Sequence, residues 1–245
     1  MSLRFLLLSG LALLALHDPV QATALYQLQA TATLSLDGAR DAAGNPVPLP
    51  TELVVTGDAY VWVNTSTTSG NAAAQSASSA GSNAAAFPLL GVGDSLIQQV
   101  SFTGQAALPL GMAATEVRTN GQITLENQSL TTSYTALFTL NYAATGQVTV
   151  ATPGLEAATL SQTLLLQVDT FAGLATLLDL RASLDGTDSN QISRQLAFTV
   201  TLAPGESAQI DLFNDGAGQA RAIATPPTLL LLLLGWPALR LRPRR

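Results

Sequence analysis

The side chains able to do chemistry are few and mostly of one kind. Glu156, Asp169, Asp179, Asp185 and Glu206 could supply the acid and base of a glycoside hydrolysis if two of them stood roughly 5 to 9.5 Å apart in unlike environments. Each also reads as a solvated charge at a strand end or in a loop. Oxygen donors gather twice: "DGTDSN" places Asp185, Asp188 and Asn190 in one loop, and "DGARDAAGN" places Asp37, Asp41 and Asn45 in another. Neither has EF-hand or glycine-rich nonapeptide spacing, so both are weak calcium candidates that also make ordinary turns. Tyr60 and Trp62 share a face in "DAYVWVN". Exposed, they would form a platform for a sugar ring; as a strand pair, the expectation is that they enter the core.

The missing residues narrow the chemistry further. The 245 residues include no cysteine, a single histidine at position 17, and ten basic residues that are all arginine. Without Cys or Lys, and with His17 in a segment expected to be removed, thiolate and imidazole nucleophile systems, Schiff bases and imidazole metal sites have no donors. No cofactor is implied and no enzyme activity is expected. Between residues 25 and 225, fifteen acids face five arginines, a balance of −10. That surface repels a phosphate backbone and excludes a nucleic-acid partner. Charged residues make up 11% of the chain against the usual share of about 25%, so solubility must rest on Ser, Thr, Asn and Gln.

Strands must position these groups, because the dominant period is two. In "LYQLQATATLSLDG", Tyr26, Leu28, Ala30, Ala32, Leu34 and Leu36 fall on one face and Gln27, Gln29, Thr31, Thr33 and Ser35 on the other, ending in a turn at Asp37-Gly38. Tyr134, Ala136, Phe138, Leu140 and Tyr142 repeat the pattern, as do Leu196, Phe198, Val200 and Leu202. Further strands are predicted over 59–64, 96–103, 121–126, 147–151, 159–168 and 208–213; residues 176–186 fit strand or helix. The "VPLP" of 47–50 reads as a proline-rich loop. Residues 64–86, made of Ala, Ser, Thr, Asn, Gln and Gly, fit either a mobile arm or a small-residue edge strand. Half-apolar strands must cover one face, so the expected fold is all-β, an antiparallel, jelly-roll-like β-sandwich.

The two ends follow other rules. Residues 1–24 have the layout of a signal peptide, with Arg4, an apolar run from Phe5 to Leu16, and small residues Ala22 and Ala24 at the −3 and −1 sites; Val20 and Ala22 offer a second site two residues earlier. The exported body is 25–221. From Ala222 to Leu239 the chain carries no charge, with Pro226, Pro227, Thr228 and Leu229 near its start and Arg240, Arg242, Arg244 and Arg245 after it. As a helix this stretch would just match the hydrocarbon thickness, with its arginines on the cytoplasmic side.

This layout resembles the PEP-CTERM proteins of Gram-negative bacteria, substrates of exosortase. Pro226, Pro227, Thr228 and Leu229 match the family's proline and Thr-Leu elements, while its glutamate is absent and Thr225 stands where the first proline would. The region 121–245 is also similar to surface domains common in that family, with an "N.S" turn at Asn127 and an "L.PGES" turn at 202–207. The resemblance implies a 222–245 sorting tail, export machinery and an exosortase-like enzyme as partners, transient membrane attachment, and a place in the envelope, outer surface or extracellular matrix, with exopolysaccharide as a further partner. The expected role is a non-catalytic surface or matrix protein. The alternatives are a carbohydrate-binding or calcium-dependent adhesive module and, after those, a carboxylate-based hydrolase. "NTS" at 64 and "NQS" at 127 also fit glycosylation sequons.

Overall fold

The computed structural model describes residues 24–151 and 153–223. The leader before Ala24, the sorting elements Pro226 to Leu229 and the arginine cluster lie outside these residues. Nine strands form within them: β1 (Ala24–Arg40), β2 (Pro46–Val47), β3 (Leu53–Ser82), β4 (Ser95–Asn127), β5 (Tyr134–Val150), β6 (Glu156–Thr170), β7 (Gly173–Asp185), β8 (Asp188–Leu202) and β9 (Ser207–Ala222). No helix among them is long and apolar enough to cross a membrane.

All pairings are antiparallel, and all strands belong to one sheet ordered β7-β6-β9-β4-β1-β5-β8, with β3 also on β4 and β2 on β1. β4 changes neighbour along its length. Residues 95–106 pair with β1, residues 111–126 pair with β9, and β3 follows both halves. Between the halves β3 and β4 fold over. The hydroxyls of Ser66 and Ser76, in one strand, lie 3.0 Å apart, whereas ten extended residues would span about 33 Å. Gly70, at φ +65, takes a backbone conformation that side chains disfavour, and Asn71 donates its amide N–H to the Leu108 carbonyl at 3.0 Å to pin the bend. The sheet thus becomes two joined walls with one core between them. β7 and β8 end the order without a ladder between them, so the sheet is nearly closed but stops short of a barrel.

The core is what the alternation predicts. Tyr26, Leu28, Leu34 and Leu36 of β1, Phe138 and Leu140 of β5, and Leu164 and Leu166 of β6 are fully buried, with Phe102, Ile123 and Leu125 of β4. Tyr26 fixes the wall spacing. Its ring meets Phe102 edge-on at 5.9 Å, its hydroxyl bonds Thr115 Oγ1 at 2.7 Å, and Gly104 and Gly218 leave room on either side where a Cβ would overlap the ring.

Several local expectations change. β1 does not end at Asp37-Gly38: a register shift between Leu36 and Gly38 absorbs the extra residue and the strand runs to Arg40. The turn sits instead at 41–45, where Asp41 accepts the backbone N–H groups of Ala43 and Asn45. Val47, the first residue of the expected 47–50 loop, pairs with Ala39, next to Pro46 on Arg40. Residues 64–82 are edge strand and not a mobile arm, because the backbone ladder to β4 orders them. Residues 176–185 are strand, paired along β6.

The "N.S" and "L.PGES" turns are bonded to each other. Asn127 Nδ2 shares its hydrogens among the carbonyls of Thr132, Leu202 and Ala203, its backbone N–H donates to Glu206, and its carbonyl accepts from Gly205. Asn127 is 0% exposed, so its amide is closed to glycosylation in the folded chain. Asn127→Ala leaves these buried carbonyls unpaired. We expect a loss of about 2–3 kcal/mol in urea unfolding at unchanged m, whereas Gln195→Ala, on the exposed face of β8, should change stability by less than about 0.5 kcal/mol.

Candidate functional site

The aromatic pair is on the surface. Leu53 and Val55 of β3 point into the core, which sends Tyr60 outward, and the register shift between Val61 and Val63 makes Trp62 the extra residue of a bulge on an edge strand. Trp62 is 65% exposed and Tyr60 44%, so the expectation that they enter the core is overturned. Asn120, opposite Tyr60 on β4, donates its amide N–H to the Tyr60 hydroxyl at 2.9 Å. Asn120 itself is buried and its Oδ1 has no protein partner.

The wall beside this pair carries charge. Arg118 and Glu116 form an ion pair at 2.6 Å, and Asp215 of β9 stands opposite Arg118. Burial pushes the Asp215 carboxyl above the ordinary carboxylate value; the Arg118 guanidinium pulls it down and Glu116 adds to the rise. Asp211 accepts from Gln122 and Gln209. Farther along the same wall a groove of about 610 Å³ is lined by Thr67, Met112, Thr159, Asp185 and Arg221.

The other wall differs. Its outward rows run Gln75, Thr103, Gln27, Gln147, Ser189 and then Ala77, Ser101, Gln29, Thr145, Gln191 across five strands. At the outward positions of β1 from 25 to 35, of β5 from 139 to 149 and of β8 from 189 to 201 there is no Asp, Glu or Arg. Asp37 and Arg40 stand at the far end of β1, and Glu116, Arg118, Asp211 and Asp215 lie together on the β4–β9 wall. Sequence alternation found each polar face singly, but only the strand order reveals that the neutral faces are neighbours.

The predicted carboxylates are mostly scattered. Glu156 opens β6 and Asp185 ends β7; Asp179 is held by Arg181, two bonds of 2.9 Å keeping its carboxyl below the ordinary range. Asp169 and Glu206 line one groove of about 580 Å³, but Glu206 already accepts the Ala203 N–H at 2.8 Å within its own turn. Asp185, Asp188 and Asn190 flank the β7–β8 turn. There Asp188 accepts its neighbour Ser189 N–H, and Thr187 bonds the backbone of Val150. Asp37 accepts from Thr139, apart from the Asp41 turn. Among the described residues no group of three His, Cys, Asp or Glu side chains is placed to hold a metal ion.

Compared with protein-family models, with curated proteins and with solved structures, the chain finds no match.

Asp215 yields a pH signature. A carboxyl whose folded pKa is raised favours folding while both states are protonated, and that contribution is lost as pH rises through the folded pKa. At neutral pH the ionised, half-buried group therefore opposes folding. Asp215→Asn should raise Tm at pH 7, and the gain should shrink below about pH 4, where the wild-type carboxyl is protonated in both states. Equal Tm values at pH 7 would refute the burial argument.

Proposed function

We propose that the described body is the displayed part of an exported, non-catalytic surface or matrix protein, a jelly-roll-like sandwich tethered through one end. The observation that carries this reading is where its two ends emerge. Ala24 opens β1 opposite Ala106 and Val150, and Ala222 closes β9 opposite Gly111 and Glu156. Val150 and Glu156 are joined by the short β5–β6 connection, and a Cβ on Gly111 would stand 2.9 Å from the Ala107 nitrogen. Ala24 and Ala222 therefore lie at the same end of the body, and a tail held at a membrane would orient the body with this end inward.

The packing of Ala24 bears on the leader cut. Ala24 is fully buried and paired on both sides, so cleavage after Ala22 keeps the first rung of β1 and cleavage after Ala24 removes it. At the other end Ile223 donates its N–H to Leu155 at 2.8 Å, and Pro226 follows three residues later, so the sorting tail would begin where the body ends. Mass spectrometry of the protein from native cells should find Thr23 as the mature N-terminus and a C-terminus upstream of Leu229. An intact Arg245 on an exported chain would replace sorting by a permanent anchor. Met1 through Arg245 intact in the cytosol would sink the reading altogether.

The exposure of Tyr60 and Trp62 favours a second reading, in which the displayed body holds a neutral polysaccharide. Indole and phenol faces pack against sugar C–H surfaces, and Asn120 beneath the pair holds the Tyr60 hydroxyl in place. An acidic body disfavours acidic polymers as ligands. Trp62→Ala should weaken retention on a neutral glucan by at least about tenfold, about 1.4 kcal/mol, with the thermal melt unchanged. Equal retention by the two proteins would remove this reading and leave the first intact.

A further inference from the structure

We propose that β7 is a self-association edge, and that its partner is β7 of a second copy of this chain, paired antiparallel about a two-fold axis through Leu180.

Three observations carry this. β7 bonds β6 along one side only and ends the strand order, so its other side offers unpaired N–H and C=O groups over thirteen residues. Such an edge is ordinarily blunted by lysine, proline or a bulge; this one has no lysine or proline, its one register shift leaves out Leu177, and over 178–185 it bears Asp179, Arg181 and, at its end, Asp185 on the same face. Around Leu180 these charges are self-complementary. Asp179 falls opposite Arg181 of the second copy and Arg181 opposite its Asp179, so that four charges alternate in sign on one face, with directly opposed Cβ atoms about 5 Å apart. Arg181 keeps 74% of its side chain exposed, leaving room to bridge both carboxylates.

Part of the body's apolar exposure lies here as well. Phe171, just before β7, is 90% exposed, and Leu174 and Leu177 are 63% and 38% exposed. Leu178 and Leu180 are only half-covered by the core. An added strand would place Leu180 against its own copy and Leu178 against Ala182, taking this surface from water. The other free edges lack this combination. β3 beyond Asp58 carries no charge to set a register, and the outward face of β8 is neutral and polar.

The chain contains no cysteine, so an introduced thiol reports one contact alone. In the full chain held in mild detergent, Leu180→Cys should form a disulfide-linked dimer under mild oxidation, while Gln191→Cys on β8 should not. By analytical ultracentrifugation the wild type should dimerise. Arg181→Asp should weaken the dimer at least tenfold, and Asp179→Arg combined with Arg181→Asp should restore it, since the swapped charges complement each other again. Thermal melts of the single and double variants separate lost association from lost folding. A wild type that stays monomeric up to millimolar concentration overturns the proposal, as does a dimer that ignores Arg181→Asp or a cross-link found only at position 191.

Discussion

The fold-over of β3 and β4 is the constraint on which the rest of this molecule depends. Two strands that leave one wall and enter the other must pass through the bend together. Asn64, Ser66 and Ser76 meet there as a hydrogen-bonded cluster, and Asn71 holds the crest to Leu108. The low-complexity run of Ala, Ser, Thr, Asn, Gln and Gly thus carries the bend, with Gly70 at φ +65 where other residues are strained.

Once the strands turn back, the two walls must meet at a fixed spacing, and Tyr26 sets it against Gly104 and Gly218. The interior this creates is tight and mostly apolar, with Glu156 a buried charge at its β6 end. Some of its polar groups bond across it: Gln98 donates to the Leu212 carbonyl across the walls, Thr119 donates to the Asn214 carbonyl, and Gln162 meets the Tyr142 hydroxyl. Burial raises the phenol pKa values of Tyr26 and Tyr142 above their ordinary value, so both remain neutral through the physiological range. Because β3 and β4 close one side and β7 and β8 do not bond on the other, every functional option is pushed outward, to two faces and three edges.

Legibility followed the range of the interaction. Alternation is local, so the apolar faces of β1, β5 and β8 could be marked from the sequence before any pairing was known, and the all-β class followed. Edge status is not local. Nothing in "DAYVWVN" distinguishes a central strand from one whose far side is open, and the bulge that frees Trp62 depends on a register set some sixty residues away in β4. The same holds for Asp185 and Asp188, whose spacing suggested a ligand loop. Their backbone is instead fixed by Thr187 against Val150, an interaction between residues 37 apart that no motif encodes. Asn127 lies between these cases: its turn was visible as a motif, but that its amide serves the turn at 202–206 required the two to be seen together.

The distribution of charge then separates the surfaces by the partners they can accept. The rows of Gln, Thr and Ser over 25–35, 139–149 and 189–201 carry no ionised group, and their affinity for a neighbour should be insensitive to salt. The β4–β9 wall carries Glu116, Arg118, Asp211 and Asp215 close together, and its interactions should weaken as ionic strength rises. The β7 edge sits beyond β6 on that charged wall and shares its ionic character, whereas Tyr60 and Trp62, apolar and bordered by an uncharged amide, depend on burial of ring surface. Self-association through one and contact with a neutral polymer through the other would therefore respond in opposite ways to salt. A single body could hold its copies together and hold a matrix without the two contacts competing for the same residues.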